Sequence, residues 1–248
     1  MTGQIGHSER KRRQLYGRRK GPKLSAHQEG LRTTLLPRLA LRLEPGRDPR
    51  GYFESNIADV WLEVGYGGGE HLLWQAQHHP DIGLIGAEPY ISGTAKLLSK
   101  LETSPLRNIR LYEDDARDII DALPDASIGR FFLLFPDPWP KTRHHKRRFL
   151  QVEMLDRLAR VLKQGAELRF ASDDAGYLAY ALERLMAHPA FEWTAKGPRD
   201  WKVRPEGWPP TRYEAKAIKG PPSYLALLRR MPDPARSGPG LSDRTANS

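Results

Sequence analysis

Short apolar runs alternate with amphipathic stretches through the middle of this chain, and each run is bounded by turn residues. Val60–Val64 is mostly apolar and stops at Gly65; a helical spacing around Leu72, Leu73 and Ala76 follows, before Pro80. Ile82–Ala87 is a second run, followed by a helix within Ile91–Leu101. Ile109–Tyr112 is a third, followed by Ala116–Leu123, which Pro124 ends. Arg130–Phe135 (RFFLLF) is apolar at five of six positions, as expected of a strand covered on both faces. Leu150, Met154, Leu155, Leu158, Val161 and Leu162 then recur at helical spacing within Phe149–Leu162. Gln164-Gly165 closes that helix, Ala166–Ala171 reads as a fifth strand, and Tyr177–Met186 as a further helix. The stretch Thr211–Leu228 alternates enough to predict a hairpin.

Strand and helix in alternation predict an α/β fold with a doubly wound, mostly parallel sheet. Five strands plus a C-terminal antiparallel hairpin make it seven-stranded. Ligands of such sheets bind beyond the carboxyl ends of the strands. Residues 1–30 are basic and poor in apolar side chains, and read as a mobile arm. Residues 231–248 are rich in Pro, Gly and Ser and read as a disordered tail, which leaves 31–230 as the folded domain.

Charge narrows the class of partner. The 248 residues carry a formal net charge of +10, and the positive groups are clustered. Arg10, Lys11, Arg12, Arg13, Arg18, Arg19, Lys20 and Lys23 fall within the arm, and Lys141–Arg148 reads KTRHHKRR. Clusters of one sign suit a polyanion such as RNA, and the arm is expected to dock only when RNA binds. With no cysteine, disulfides, thiolate-bound zinc and thiol catalysis are excluded, in keeping with a cytoplasmic protein. No apolar run approaches the length of a membrane span, so no membrane partner is expected.

The chemistry begins after the first strand, at Glu63-Val64-Gly65-Tyr66-Gly67-Gly68-Gly69. A dinucleotide fingerprint would need glycine at position 70, where Glu70 stands. The spacing of Glu63, Gly65, Gly67 and Gly69 fits instead the opening motif of S-adenosylmethionine-dependent methyltransferases. A carboxylate there suits a ligand with an ammonium and a sulfonium. Glu88 ends the second strand, where it could accept from two ribose hydroxyls, and a carboxylate of Glu113-Asp114-Asp115, after the third, could accept from an adenine amine.

The fourth strand runs into Phe135-Pro136-Asp137-Pro138-Trp139-Pro140-Lys141. Flanking prolines fix the backbone round one carboxylate, and Trp139 offers a face on which a base could stack. Behind it Lys141, Arg143, Lys146, Arg147 and Arg148 supply five cations within eight residues to clamp phosphates. His144 and His145 are adjacent with no carboxylate cluster beside them, so no metal site is expected.

The run PDPWPKTRHHKRR, preceded by LEVGYGGG and GAE, closely resembles the bacterial tRNA (guanine-N7-)-methyltransferase family, from about Trp61 to Tyr213. The resemblance implies a Rossmann-like class I methyltransferase fold, S-adenosylmethionine as cofactor and tRNA as substrate, with guanine 46 of the variable loop as acceptor. It places cofactor contacts on Glu63, Glu88, Asp115 and Asp137, to which the glycine loop adds Gly65 and Gly67, while the proline-flanked corner makes Asp137 the expected catalytic residue. It places tRNA contacts on Lys141, Arg143, His144, His145, Lys146, Arg147, Arg148, Asp173, Thr211, Arg212, Tyr213 and Glu214. The chain departs from the family's Thr-Asp-Trp at Ser172-Asp173-Asp174, and from its C-terminal pattern at Gly220-Pro221-Pro222-Ser223-Tyr224. Two other functions stay open on the residues alone: a non-catalytic RNA-binding protein on this fold, or methylation of a different nitrogen acceptor.

Overall fold

A computed structural model describes residues 15–54, 56–211, 213–214 and 220–231. Seven strands form one sheet: β1 (Asp59–Val64), β2 (Ile82–Ala87), β3 (Ile109–Tyr112), β4 (Ile128–Leu134), β5 (Leu162–Ser172), β6 (Phe191–Trp193) and β7 (Ser223–Arg229). Their order is β3-β2-β1-β4-β5-β7-β6. The first five are parallel; β7 runs antiparallel to β5 and β6 antiparallel to β7. The chain therefore winds outward from β1 in one direction and from β4 in the other. The β1–β4 seam is the switch point where such sheets open a crevice.

The α-helices of the described residues are α1 (Ala26–Thr34), α2 (Leu36–Leu39), α3 (Glu70–His78), α4 (Ile91–Leu101), α5 (Ala116–Ala122), α6 (Val152–Val161), α7 (Ala175–Ala187) and α8 (Arg199–Lys202), with 3-10 turns at Pro49–Tyr52 and Thr142–Arg147. The strand period of two sorts side chains between the faces. Val60, Leu62, Phe131 and Leu133 pack with Ile119, Ile120, Leu155, Leu158, Tyr177 and Leu185. Trp61 and Phe132 pack on the other face with Leu72, Ala76, Leu97 and Leu98. Phe131 and Phe132 are both fully buried, each contributing roughly 1.5–3 kcal/mol. Glu63 shares the face of Trp61, which turns it towards α3.

Several sequence expectations shift. Helix α1 starts at Ala26, ahead of the boundary drawn at 31, because Ser25 and Gln28 form a reciprocal capping box and Leu31 is buried. Strand β5 starts at Leu162, not Ala166, so Gln164 and Gly165 lie within it rather than before it. A register shift opposite Ile128 and Arg130 accommodates Gly165 at φ 78°. In the predicted hairpin, only Ser223–Arg229 is a strand among the described residues of 211–228. Its hairpin partner is Phe191–Trp193, far upstream.

Candidate functional site

The glycine loop after β1 is built to leave room. Gly65, Gly67 and Gly69 have φ of 77°, 54° and 75°, a region where a side chain is strained. A Cβ at Gly65 or Gly67 would meet nothing within 4 Å, so the backbone borders open space, whereas one at Gly69 would lie 2.5 Å from Leu97 Cδ1. The first two glycines therefore face a cradle, and the third lets α3 approach α4.

Carboxylates line that cradle. Glu63, 2% exposed, accepts through Oε2 from His71 Nδ1 at 2.7 Å. Glu88, 8% exposed, accepts from the Gly67 amide at 2.8 Å and the Tyr90 amide at 2.9 Å. Burial pushes the Glu88 pKa up; the two amide hydrogen bonds oppose this, and the like charges of Asp137 and Glu63 add to it. Glu63, Glu88 and Asp137 thus share one field at the sheet edge. Tyr66, buried, pairs its hydroxyl with Thr94 Oγ1 at 2.8 Å, and burial raises its pKa strongly.

The third acidic position is engaged by its own helix. Asp115 caps α5 by accepting from the Arg117 amide, and its two oxygens also take the Arg117 guanidinium, at 2.9 and 2.8 Å to Nε. Its neighbours pair with the N-terminal region: Glu113 with Arg32 at 2.6 Å, Asp114 with Arg19 at 3.1 Å.

Asp137 is exposed at the end of β4, and its loop is strained on both sides. Phe135 and Trp139 have φ of 51° and 46°, which for non-glycine residues costs energy that the surroundings must supply. Arg148 is part of that support, and here the structure corrects the sequence reading. Its side chain is buried rather than directed at phosphate. The guanidinium donates through Nε to the Pro138 carbonyl at 2.8 Å and through a terminal nitrogen to the Gly176 carbonyl at 3.4 Å. It lies over the rings of Tyr177 and Tyr180 at 4.9 and 4.6 Å. It braces the Asp137 loop from behind.

The rest of the run forms a 3-10 turn, Thr142–Arg147. Lys141, Arg143 and Lys146 are exposed; His144, His145 and Arg147 are half-buried. Slight desolvation, then the charges of Arg147, Arg143, Lys141 and Lys146, lower the pKa of His144. Arg147 lies over Tyr16 and Trp139, 4.9 Å from each ring centre, so part of the Trp139 surface expected to stack a base is taken by a guanidinium.

Residues 16–21 cross this edge, a placement that reading the arm as one basic unit missed. Tyr16 meets Trp139 edge-on at 6.3 Å, and a Cβ at Gly17 would lie 3.7 Å from Asp137 Oδ2. The Arg19 carbonyl accepts from the Ile91 amide at 3.0 Å.

On the far side, Asp173 is half-buried after β5, and Asp174 caps α7 by accepting from the Tyr177 amide at 2.8 Å. Thr211 and Glu214 bond reciprocally, at 3.3 and 3.1 Å. Glu214 also accepts from the Tyr224 hydroxyl and pairs with Arg204 at 3.5 Å. Tyr213 sits 5.8 Å from the ring of Phe135, which brings this stretch to the Asp137 corner. Arg212 lies outside the described residues. Among the described residues there is no cluster of three or more His, Asp or Glu arranged for a metal ion, and no helix long and apolar enough to cross a membrane.

Comparison with known proteins agrees with this geometry. A sequence profile described as a putative methyltransferase matches residues 58–223. A tRNA (guanine-N(7)-)-methyltransferase of Rhodospirillum rubrum is 50% identical over 233 residues, covering 91% of this chain and 90% of that protein. One from Brucella anthropi is 49% identical, covering 87% of this chain and 94% of that protein. Among solved structures, the 16S rRNA methyltransferase KamB superposes with a TM-score of 0.53 at 16% identity, covering 78% of this chain and 98% of that one. The 16S rRNA (adenine(1408)-N(1))-methyltransferase from Catenulisporales acidiphilia gives 0.51 at 14%, covering 79% and 99%. At such low identity these two speak to the fold alone.

Proposed function

Because this chain belongs to the tRNA (guanine-N(7)-)-methyltransferase family, we propose that it methylates N7 of a guanine in tRNA, guanine 46 of the variable loop, using S-adenosylmethionine. The carrying observation is one sheet edge where a glycine-walled acidic cradle adjoins a proline-locked carboxylate and an exposed cationic turn. The cradle fits the cofactor: Gly65 and Gly67 leave its wall open, and Glu63 and Glu88 offer acceptors to an ammonium and to hydroxyls. When bound, the cofactor supplies an electrophilic methyl group on a sulfonium.

The protein's share is placement. Guanine N7 has a lone pair and no proton, so no side chain need act as base; the acceptor must be held in line. Asp137, fixed by its prolines and by Arg148 on the Pro138 carbonyl, binds the guanine edge and stabilises the positive charge that grows on the purine. Lys141, Arg143, Lys146 and the half-buried histidines hold backbone phosphates, and Asp173 with Thr211, Tyr213 and Glu214 lines the opposite side. Asp115, at the start of α5, offers its carboxylate to the adenine amine. The reaction runs in the cytoplasm, with a catalytic domain that extends from the Ser25 cap to residue 230 and the basic residues ahead of it docking on tRNA.

The test is incubation with methyl-labelled cofactor and unmodified tRNA, followed by chain cleavage at 7-methylguanine. Cleavage at position 46, lost in Asp137→Ala with tRNA affinity retained, supports the reading. Label without that cleavage, or wild-type rates in the variant, refutes it.

A further inference from the structure

Glu63 is the first member of a buried chain of side chains. Its Oε2 receives His71 Nδ1 at 2.7 Å; Gln75 Nε2 lies 3.0 Å from His71 Nε2 and 3.0 Å from the Gly207 carbonyl. Glu63, His71 and Gln75 are 2%, 2% and 0% exposed. His71 and Gln75 lie one helical turn apart on α3, and the imidazole packs edge-on to Phe132 at 4.7 Å.

Hydrogen-bond arithmetic fixes the proton positions. The Gly207 carbonyl can only accept, so the Gln75 amide nitrogen faces it. The other hydrogen of that nitrogen goes to His71 Nε2, which must then be an acceptor. His71 therefore carries its proton on Nδ1 and donates it to Glu63. Turning the amide over would set Gln75 Oε1 against the Gly207 oxygen, two acceptors face to face. The arrangement holds although Gln75 Oε1 and Trp208 Nε1 are buried without partners, a cost of the kind retained where a network has a task. An imidazole donating from Nδ1 fixes one oxygen of Glu63.

The other end of the chain is the loop leading to Thr211–Glu214. Gly207 has φ 77°, and the adjacent Trp208 is buried against Tyr224, ring centres 5.5 Å apart, with Arg169 over it at 5.2 Å. Tyr224 in turn donates to Glu214.

We propose that His71 and Gln75 are positioning residues that fix the orientation of the Glu63 carboxylate and tie the cofactor cradle to the loop that carries Thr211 and Glu214, so that cofactor and tRNA bind cooperatively. The proposal rests on the function assigned above. Coupling of this kind is reciprocal, and about tenfold is typical of it.

Two measurements on the full chain test it. The first is nitrogen NMR of 15N-histidine-labelled protein without cofactor, with the His71 signals assigned by their loss in His71→Phe. A pyrrole-type signal at Nδ1 and a pyridine-type signal at Nε2 are expected; a proton on Nε2 overturns the proposal. The second is calorimetry of S-adenosylmethionine binding with and without tRNA. The wild type is expected to bind about tenfold more tightly with tRNA present. Gln75→Met should keep affinity for the cofactor alone within about threefold and lose that tightening, whereas His71→Phe should weaken cofactor binding itself about tenfold. Unchanged tightening in Gln75→Met, or unchanged cofactor affinity in His71→Phe, overturns the linkage. Failure of the wild type to bind S-adenosylmethionine at all would strike the assigned function instead, and the histidine tautomer would still be read.

Discussion

Replacing Arg148 by Met separates a brace from a clamp. The guanidinium donates to the Pro138 carbonyl at 2.8 Å, and a hydrogen bond to a charged donor contributes about 1.5–3 kcal/mol. Its position over Tyr177 and Tyr180, at 4.9 and 4.6 Å, adds about 1–2 kcal/mol where water is excluded. Methionine refills much of the space and avoids burying a charge, which offsets part of the loss. The net expectation is a destabilisation of about 2–4 kcal/mol, a fall in melting temperature of roughly 4–16 °C for a chain of this size. The Asp137 loop loses its support, so turnover should fall about 10–100-fold through misplacement of the acceptor. The salt dependence of tRNA binding should not change, because no phosphate contact is lost. Urea unfolding, steady-state rates and filter binding at several salt concentrations read the three effects. A salt slope reduced by about one with stability unchanged would mean that Arg148 reaches phosphate, and would refute the brace.

The exposed cations should behave in the opposite way: Arg143→Gln and Lys146→Gln should each lower the slope of log affinity against log salt by about 0.7–0.9, and a slope equal to wild type would remove them from the interface. Gly69→Ala should destabilise the fold by about 1–3 kcal/mol through the Leu97 contact and the positive φ. Gly67→Ala should instead weaken cofactor binding more than stability, since its Cβ enters open space; calorimetry and melting on the same pair decide, and equal melting losses would contradict the cradle. Burial raises the folded pKa of Glu88 above its ordinary 4.5, so between those two values the folded state binds more protons than the unfolded. Its contribution to stability is full below pH 4.5 and is lost as pH rises through the raised value. Urea midpoints of wild type minus Glu88→Gln should therefore fall across that window, and a rising difference would reverse the assignment.

Local pattern makes much of the site legible. Ile82–Ala87 and Ile109–Tyr112 are strands with the bounds their apolar runs predict, and the glycines after β1 and the prolines about Asp137 announce their backbones directly. Long-range pairing was not legible. Phe191–Trp193 joins Ser223–Arg229 through the sheet, and three residues carry too little periodicity to reveal it. Burial of a charge was hidden as well: Arg148 reads as one cation among five, although the apolar Phe149 and Leu150 beside it mark where the run turns inward. His71 and Gln75 had a usable signal, polar residues four apart on the face that also carries the buried Leu72 and Ala76. Their partners, Glu63 and Gly207, come together only in the folded chain. Tyr16, Gly17 and Arg19 were likewise absorbed into a basic arm, because charge density says nothing of which carbonyl meets the Ile91 amide.

One atom of the acceptor decides whether the methyl group goes to N7. Two tRNA transcripts, one with guanine and one with 7-deazaguanine throughout, differ by a carbon in place of that nitrogen. With methyl-labelled S-adenosylmethionine, label is expected in the guanine transcript and none in the deaza transcript, at equal binding of both. Equal labelling of the two would place the methyl group elsewhere and contradict it.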